Sequence, residues 1–278
     1  MGKMRKPGAQ ARRLARTLRG LREEIGMTQY EAAKRLPFSH AKLSRIETGQ
    51  VPEYHAFRAM LDVYGVPVTE WNEYLDIRER ALEKDWWHEY EGEGRGYIAV
   101  EDMANSIRAF EFGYVPGLLQ TEEYMREVFI SASSPLTGEA LENIVAARLR
   151  RQRRLTGEPV LCLHVIMDET ALRPRVCTGA AHREQLRTIL ERAALPNVTV
   201  QVILEAEGAH DGLVGNLTLA RYPGAEVKDR VYVEHLLGAV HTESEAQVRT
   251  AERIFGDLVD RALDHEDSIT LIERCVVG

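Results

Sequence analysis

The chain has 278 residues, 44% hydrophobic and 28% charged, with a formal net charge of -7 at pH 7, an ordinary composition with room for two cores. No apolar run approaches the ~18–20 residues needed to cross a bilayer, and the basic stretch 1–20 lacks the apolar centre of a secretory signal. Cys162, Cys177 and Cys275 are too few and too far apart for a disulfide framework or a zinc site, so a cytoplasmic protein with no membrane association is expected.

Residues 9–25 read as a helix, with Leu14, Leu18, Leu21 and Ile25 at spacings of three and four on one stripe and Gly26 as the stop. Thr28 followed by Glu31 is a capping box for a second helix, whose small face is Ala32, Ala33 and Leu36, with Ala33 nested against the third helix, and which Pro37 ends. Ser39 is the next cap, opening a third helix that Gly49 closes. Pro52 suits the first turn of a fourth, with Phe57, Leu61 and Tyr64 buried, and Thr69 caps a fifth over residues 70–84. Five short helices make residues 1–84 an all-α domain. Residues 85–96 are acidic, Gly-rich and non-periodic, and read as a linker.

From residue 97 to 278 the pattern is that of an α/β or α+β domain with a small, partly parallel sheet. Residues 97–112 fit helix and strand equally. Pro116-Gly117 breaks the chain, Thr121 caps a helix to about Ser131, and a longer helix runs from about Glu139 to Leu155. Val160–Met167 and Val198–Leu204 are β-branched runs flanking a helix over Ala180–Leu195, a strand–helix–strand unit whose strands should be parallel. Leu217–Tyr222 and Val231–Glu234 suit a hairpin turned near Pro223-Gly224. An amphipathic helix follows over Glu243–Leu263, suited to core or dimer packing, and Ser268 caps a short last element.

The average charge hides an asymmetry. Residues 1–60 hold 13 Lys or Arg and 5 Glu, a net +8, whereas the remainder carries -15. A basic head on an acidic body is the distribution of a small nucleic-acid-binding domain joined to something else. A DNA-reading helix must enter the major groove with its first turn at the bases, behind a tight turn from a supporting helix; residues 27–51 meet these demands.

The run T-Q at helix two, S-x-x-x-L-S-R-I-E-x-G through helix three and the trailing Pro52 resembles the Xre-type helix-turn-helix family. The resemblance implies a recognition helix over about residues 40–48 and a homodimer on double-stranded DNA. Gln29 would bond a phosphate and brace the first recognition residue. His40, Ala41 and Arg45 would face base edges, Arg45 as the best candidate for a two-pronged bond to guanine. Lys42 and Ser44 would flank them behind the capping residue Ser39. Arg22 and Glu47 would form a structural ion pair. The basic tail, Lys3 to Arg13, suits added phosphate contacts and a solubilising end equally.

The second half is similar to the C-terminal domain of WhiJ-like actinobacterial regulators, on VPGLLQTEEY (115–124), ARLRRQRRL (147–155), MDETALR (167–173) and residues 183–203. This implies a regulatory, antitoxin-like repressor with a small partner protein; the resemblance brings no ligand with it, and a small-molecule effector is the other expected partner. The arginine run, including Arg150 and Arg151, admits three readings: a solvated face, a second DNA contact, or a patch for an acidic partner. Asp168 and Glu169 at a strand end suit a helix cap or, with His210, a pocket. No nucleophile–base–orienter set, phosphate-binding Gly loop or metal spacing is visible, so no enzyme, cofactor or metal is expected. The leading expectation is a sequence-specific regulator, a repressor; the alternative is an antitoxin-like interaction protein with DNA binding secondary.

Overall fold

The structure is a computed structural model in which residues 8–82, 95–173, 176–223, 227–235 and 237–277 are described. These fall into two compact units, one within residues 1–89 together with 224–227 and one within residues 90–223 and 228–278.

The first unit is all-α: α1 (Ala9–Glu24), α2 (Gln29–Arg35), α3 (His40–Glu47), α4 (Tyr54–Val63) and α5 (Trp71–Leu82). Gly26 and Gly49 take positive φ (68° and 117°) just after α1 and α3, a conformation glycine adopts without strain. The capping box is formed at both ends: the Glu31 amide donates to the Thr28 hydroxyl, and the Thr28 amide donates to the Glu31 carboxylate at 2.8 Å. Those bonds hold the Glu31 carboxyl below its ordinary range. Thr28→Ala is expected to cost about 1 kcal/mol, read as a lower urea midpoint for the first unit at unchanged slope; no shift would mean that the box is idle.

Leu14, Leu18, Leu43, Ile46, Phe57, Met60 and Leu61 form this unit's buried core. Four expectations need correction. Ile25 is exposed, because it lies beyond the last turn of α1. Ala32, not Ala33, is the fully buried small residue of α2. Pro52 precedes α4, whose N-cap is Glu53. Thr69 lies inside a 3-10 turn, Val68–Glu70, that leads into α5. Arg78 reaches back from α5 to donate to the Pro52 carbonyl at 2.9 Å, securing the loop behind α3.

The second unit contains α6 (Arg95–Met103), β1 (Ser106–Glu111), α7 (Glu122–Ile130), α8 (Gly138–Gln152), β2 (Cys162–Asp168), α9 (Gly179–Ala193), β3 (Val198–Ile203), β4 (Leu217–Arg221), β5 (Arg230–His235), β6 (Gly238–Thr242), α10 (Glu245–Arg261) and α11 (His265–Val277). Helix α6 begins inside the expected linker, most of which lies outside the described residues. The ambiguous stretch 97–112 resolves into a helix and then a strand. The six strands run in the order β3-β2-β1-β4-β5-β6. β2 is parallel to both β3 and β1, as the strand–helix–strand reading anticipates for β2 and β3, and the pairs from β1 through β4 and β5 to β6 are antiparallel.

One face of the sheet packs Phe110, Ile166, Ile203, Leu219 and Val231 against Val248, Ala251, Phe255 and Leu258 of α10, so α10 is core packing. The outer edge of β3 is covered by α11. The Val202 amide donates to the Ser268 hydroxyl (3.0 Å), and the Leu263 amide donates to the Val202 carbonyl (2.9 Å). Ser268 is therefore a buried brace within α11 and not its cap, and α11, at 13 residues, is a full helix. Capping an edge strand in this way satisfies the backbone groups that would otherwise template association.

Candidate nucleic-acid interface and a polar cavity

The recognition candidates stand on α3. Its first turn is set by Ser39, whose hydroxyl accepts from the Lys42 amide (3.3 Å), so Ser39 acts on the helix end. Leu43 and Ile46 point inward and are fully buried. His40, Ala41 and Arg45 are exposed on the other side, with Lys42 and Ser44 partly exposed between them. The ammonium of Lys42 lies 5.4 Å from the Phe38 ring, which holds it close to the helix start.

The back of α3 is fixed by a charge cluster. Arg22 Nε and Nη2 donate to the two oxygens of Glu47 at 2.7 and 2.8 Å, and Arg22 Nη1 donates to the Met27 carbonyl at 2.6 Å. The hydrogen bond to Glu47 holds the Arg22 guanidinium above its ordinary pKa against the opposing effect of burial. Gln29 Nε2 also donates to Glu47, at 2.7 Å. That bond leaves Gln29 with a single side-chain N–H for a phosphate, and orients its amide from behind. Tyr30, 63% exposed on α2 with the Lys34 ammonium 4.4 Å from its ring, is a surface group that apolar periodicity passes over, because nothing in a helical stripe marks an aromatic on the polar side.

The arginine run of the second unit is not a solvated face throughout. Arg148, Arg151 and Arg154 recur every three residues and turn inward. Arg151 pairs with the fully buried Glu101 at 2.7 and 2.8 Å, and its guanidinium lies 4.9 Å from the Tyr97 ring. Arg154 donates to the carbonyls of Asp102 and Ala104 at the end of α6. Arg148 donates to Gln120 Oε1 at 2.8 Å and lies 4.4 Å from the Phe129 ring. Arg150 is exposed, so a partner or DNA patch built on Arg150 and Arg151 together is not formed.

Asp168, Glu169 and His210 do not form one pocket. Asp168 caps a 3-10 turn by accepting from the Thr170 amide (2.8 Å), and Glu169 accepts from the Glu205 amide (3.0 Å) and Arg173 (3.2 Å). His210 lies edge-on to Phe110 with 5.8 Å between ring centroids, and lines a different depression with Asp257, Asp260 and Arg261.

What does enclose a cavity, of about 150 Å³, is the sheet face opposite α10. The pairing places Ala109, Thr218 and Tyr232 in one row across β1, β4 and β5. One rung along the same face come Glu111, Asn216 and Glu234, and the Phe112 amide ties Asn216 to β1 at 2.9 Å. Pro116, Gly117 and Gln120 form one wall, Tyr97 of α6 and Arg148 and Arg151 of α8 the others. The motif VPGLLQT thus builds a cavity wall. Its Val115, Leu118, Leu119 and Gln120 are buried rather than presented for docking, and the Gln120 amide nitrogen donates to the Val115 carbonyl at 2.7 Å.

Glu111 is pushed up to about 7, by burial first and by the Glu234 charge second, against the pull of Arg148 and Arg151. Burial draws Arg148 down to about 10. Apart from Arg151, read there as part of a surface patch, these cavity residues are not legible as a site in the sequence, because β1 is ambiguous there and the charges come from three separate elements.

Residues 13–73 match the family of helix-turn-helix domains, and residues 95–274 match a family described as a domain of unknown function (DUF5753). No curated protein and no solved structure matches the chain. The helix-turn-helix match supports a DNA-binding regulator. No helix among the described residues is long and apolar enough to cross a membrane.

Proposed function

The chain belongs to the DUF5753 family and carries a helix-turn-helix domain ahead of it, and from that premise we propose that it is a sequence-specific transcriptional repressor. It binds double-stranded DNA as a homodimer, two copies of α3 reading two half-sites. The observation that carries this reading is the exposed face of α3, where His40 and Ala41 of the first turn and Arg45 of the last stand outward on a helix anchored from behind by Arg22, Gln29 and Glu47. Arg45 supplies the base contact of greatest discrimination, a two-pronged bond to guanine. Lys42 and Ser44 serve the phosphates beside it, and the net +8 of residues 1–60 supplies the salt-dependent part of the affinity. The second unit acts as the sensing domain, and its cavity is the effector site. The protein performs no catalysis.

The test is fluorescence anisotropy on DNA selected from a random library, with the wild type and Arg45→Ala compared across a salt series. A palindromic motif should emerge with a steep salt slope, and Arg45→Ala should lose about 1–3 kcal/mol at one symmetric base position. If no motif emerges and Arg45→Ala binds like the wild type, the repressor reading is wrong.

A further inference from the structure

The cavity of the second unit holds more acidic than basic side chains that lack a partner of their own. Arg151 is matched by Glu101 in a closed two-pronged pair. Arg148 is held against the wall by Gln120 and Phe129. Glu111 and Glu234 line the same cavity, and neither makes a side-chain hydrogen bond or ion pair to another described residue. Setting aside the closed pair, once Glu111 ionises it and Glu234, exposed at the rim, set two carboxylates against one guanidinium, and the cavity then lacks one positive charge. Its walls carry Tyr97, Tyr114 and Tyr232, with Tyr97 and Tyr232 at 4.8 Å between centroids. Rings beside carboxylates are the surroundings in which an organic cation is bound, by cation–π attraction together with charge pairing.

A metal ion fits poorly. The two carboxylates stand on β1 and β5 with β4 between them, about 10 Å apart at their Cα atoms at the usual strand spacing. Among the described residues, no three His, Cys, Asp or Glu gather as a metal site. Hard cations take six to eight oxygens. The cavity is also too small for a drug-sized ligand, whose pockets are ~300 Å³ and larger.

We propose that this cavity binds a small monovalent organic cation, an amine or quaternary ammonium, with Glu111 at its charge and the tyrosines around it. The inference deepens the effector half of the reading above and rests on it only in calling the ligand an effector; its test involves no DNA. The state of Glu111 adds a signature. The charged groups facing it are Glu234 from β5 and Arg148 and Arg151 from α8, with Tyr97, Tyr114 and Tyr232 as the phenols. Glu111 is raised to about 7, while Tyr232 is pushed up to about 12 and Tyr97 well above its ordinary value. Cation affinity therefore rises as pH climbs through about 7, where Glu111 gives up its proton, and levels off above pH 8.

Calorimetry and thermal-shift titration of the full chain would use methylammonium and choline as cations, 3,3-dimethylbutanol as the neutral isostere of choline, and acetate as the anion. At least one cation is expected to bind saturably and raise the melting temperature, more strongly at pH 8 than at pH 6, with the isostere and acetate inert. Glu111→Gln should weaken that binding about tenfold or more, the loss of one close charge pair, while the unliganded variant melts no lower than the wild type. Glu234→Gln gives a second, milder loss should Glu111→Gln fold poorly. Failure of both cations to bind, equal binding of the isostere, or preferential binding of acetate overturns the proposal. The DNA experiment stands or falls separately.

Discussion

Glu101→Ala is expected to destabilise the second unit by about 3–5 kcal/mol, the cost of leaving a buried ion without its partner. Glu101 is fully buried on α6, Arg151 is 9% exposed on α8, and two hydrogen bonds of 2.7 and 2.8 Å join them. Burial acts to lower the Arg151 pKa, and the neighbouring carboxylate more than reverses it, so the guanidinium is held above its ordinary value. Remove the carboxylate and the charge stays where it is, facing the Tyr97 ring without its hydrogen-bonded partner. For a unit of this size the melting midpoint should fall by roughly 10 °C or more. The pair itself contributes far less than this number suggests, because placing two charges in the interior costs nearly what their attraction returns. Glu101→Leu combined with Arg151→Met should accordingly recover most of the loss. Urea unfolding followed by circular dichroism measures both variants, and a single-variant loss under about 1 kcal/mol would show that water reaches the pair.

Glu47→Ala should act on the first unit with similar force, again about 3–5 kcal/mol, and with a different consequence. Glu47 receives Arg22 from α1 and Gln29 from α2 on one carboxylate, so its loss releases three helices together. Glu47→Gln should rescue little, since its amide N–H groups would confront the Arg22 guanidinium. In this smaller unit each kcal/mol moves the midpoint by about 4–8 °C, and the first unit should melt well before the second. Far-UV circular dichroism during a thermal scan reads the result; a midpoint within a few degrees of the wild type would mean that Leu43 and Ile46 alone anchor α3.

The capping box at Thr28 and Glu31, the cap at Ser39 and the glycines 26 and 49 are local devices, and each forms where the sequence places it. The strand–helix–strand unit across β2, α9 and β3 is legible for the same reason: β-branched runs and a helical period sit within one short stretch. Misreadings arise where a neighbour outweighs a local preference. Ser268 looks like a cap, but the edge of β3 supplies it with a backbone amide inside α11. The arginine run has the pattern of a solvated face, yet Glu101, Gln120 and the end of α6 draw three of its members inward. β6 leaves no signal in the sequence, being a short, exposed strand without an apolar alternation.

The helical first unit, the outward residues of α3 and the charge split between head and body are all readable along the chain, because caps, glycine stops and helical spacing act over a few residues. That Glu111, Glu234 and Arg148 share one cavity under VPGLLQT follows from the three-dimensional fold alone. Their meeting depends on β4 inserting between β1 and β5 and on α8 crossing back over that face, and long-range pairing of this kind leaves no period in the chain.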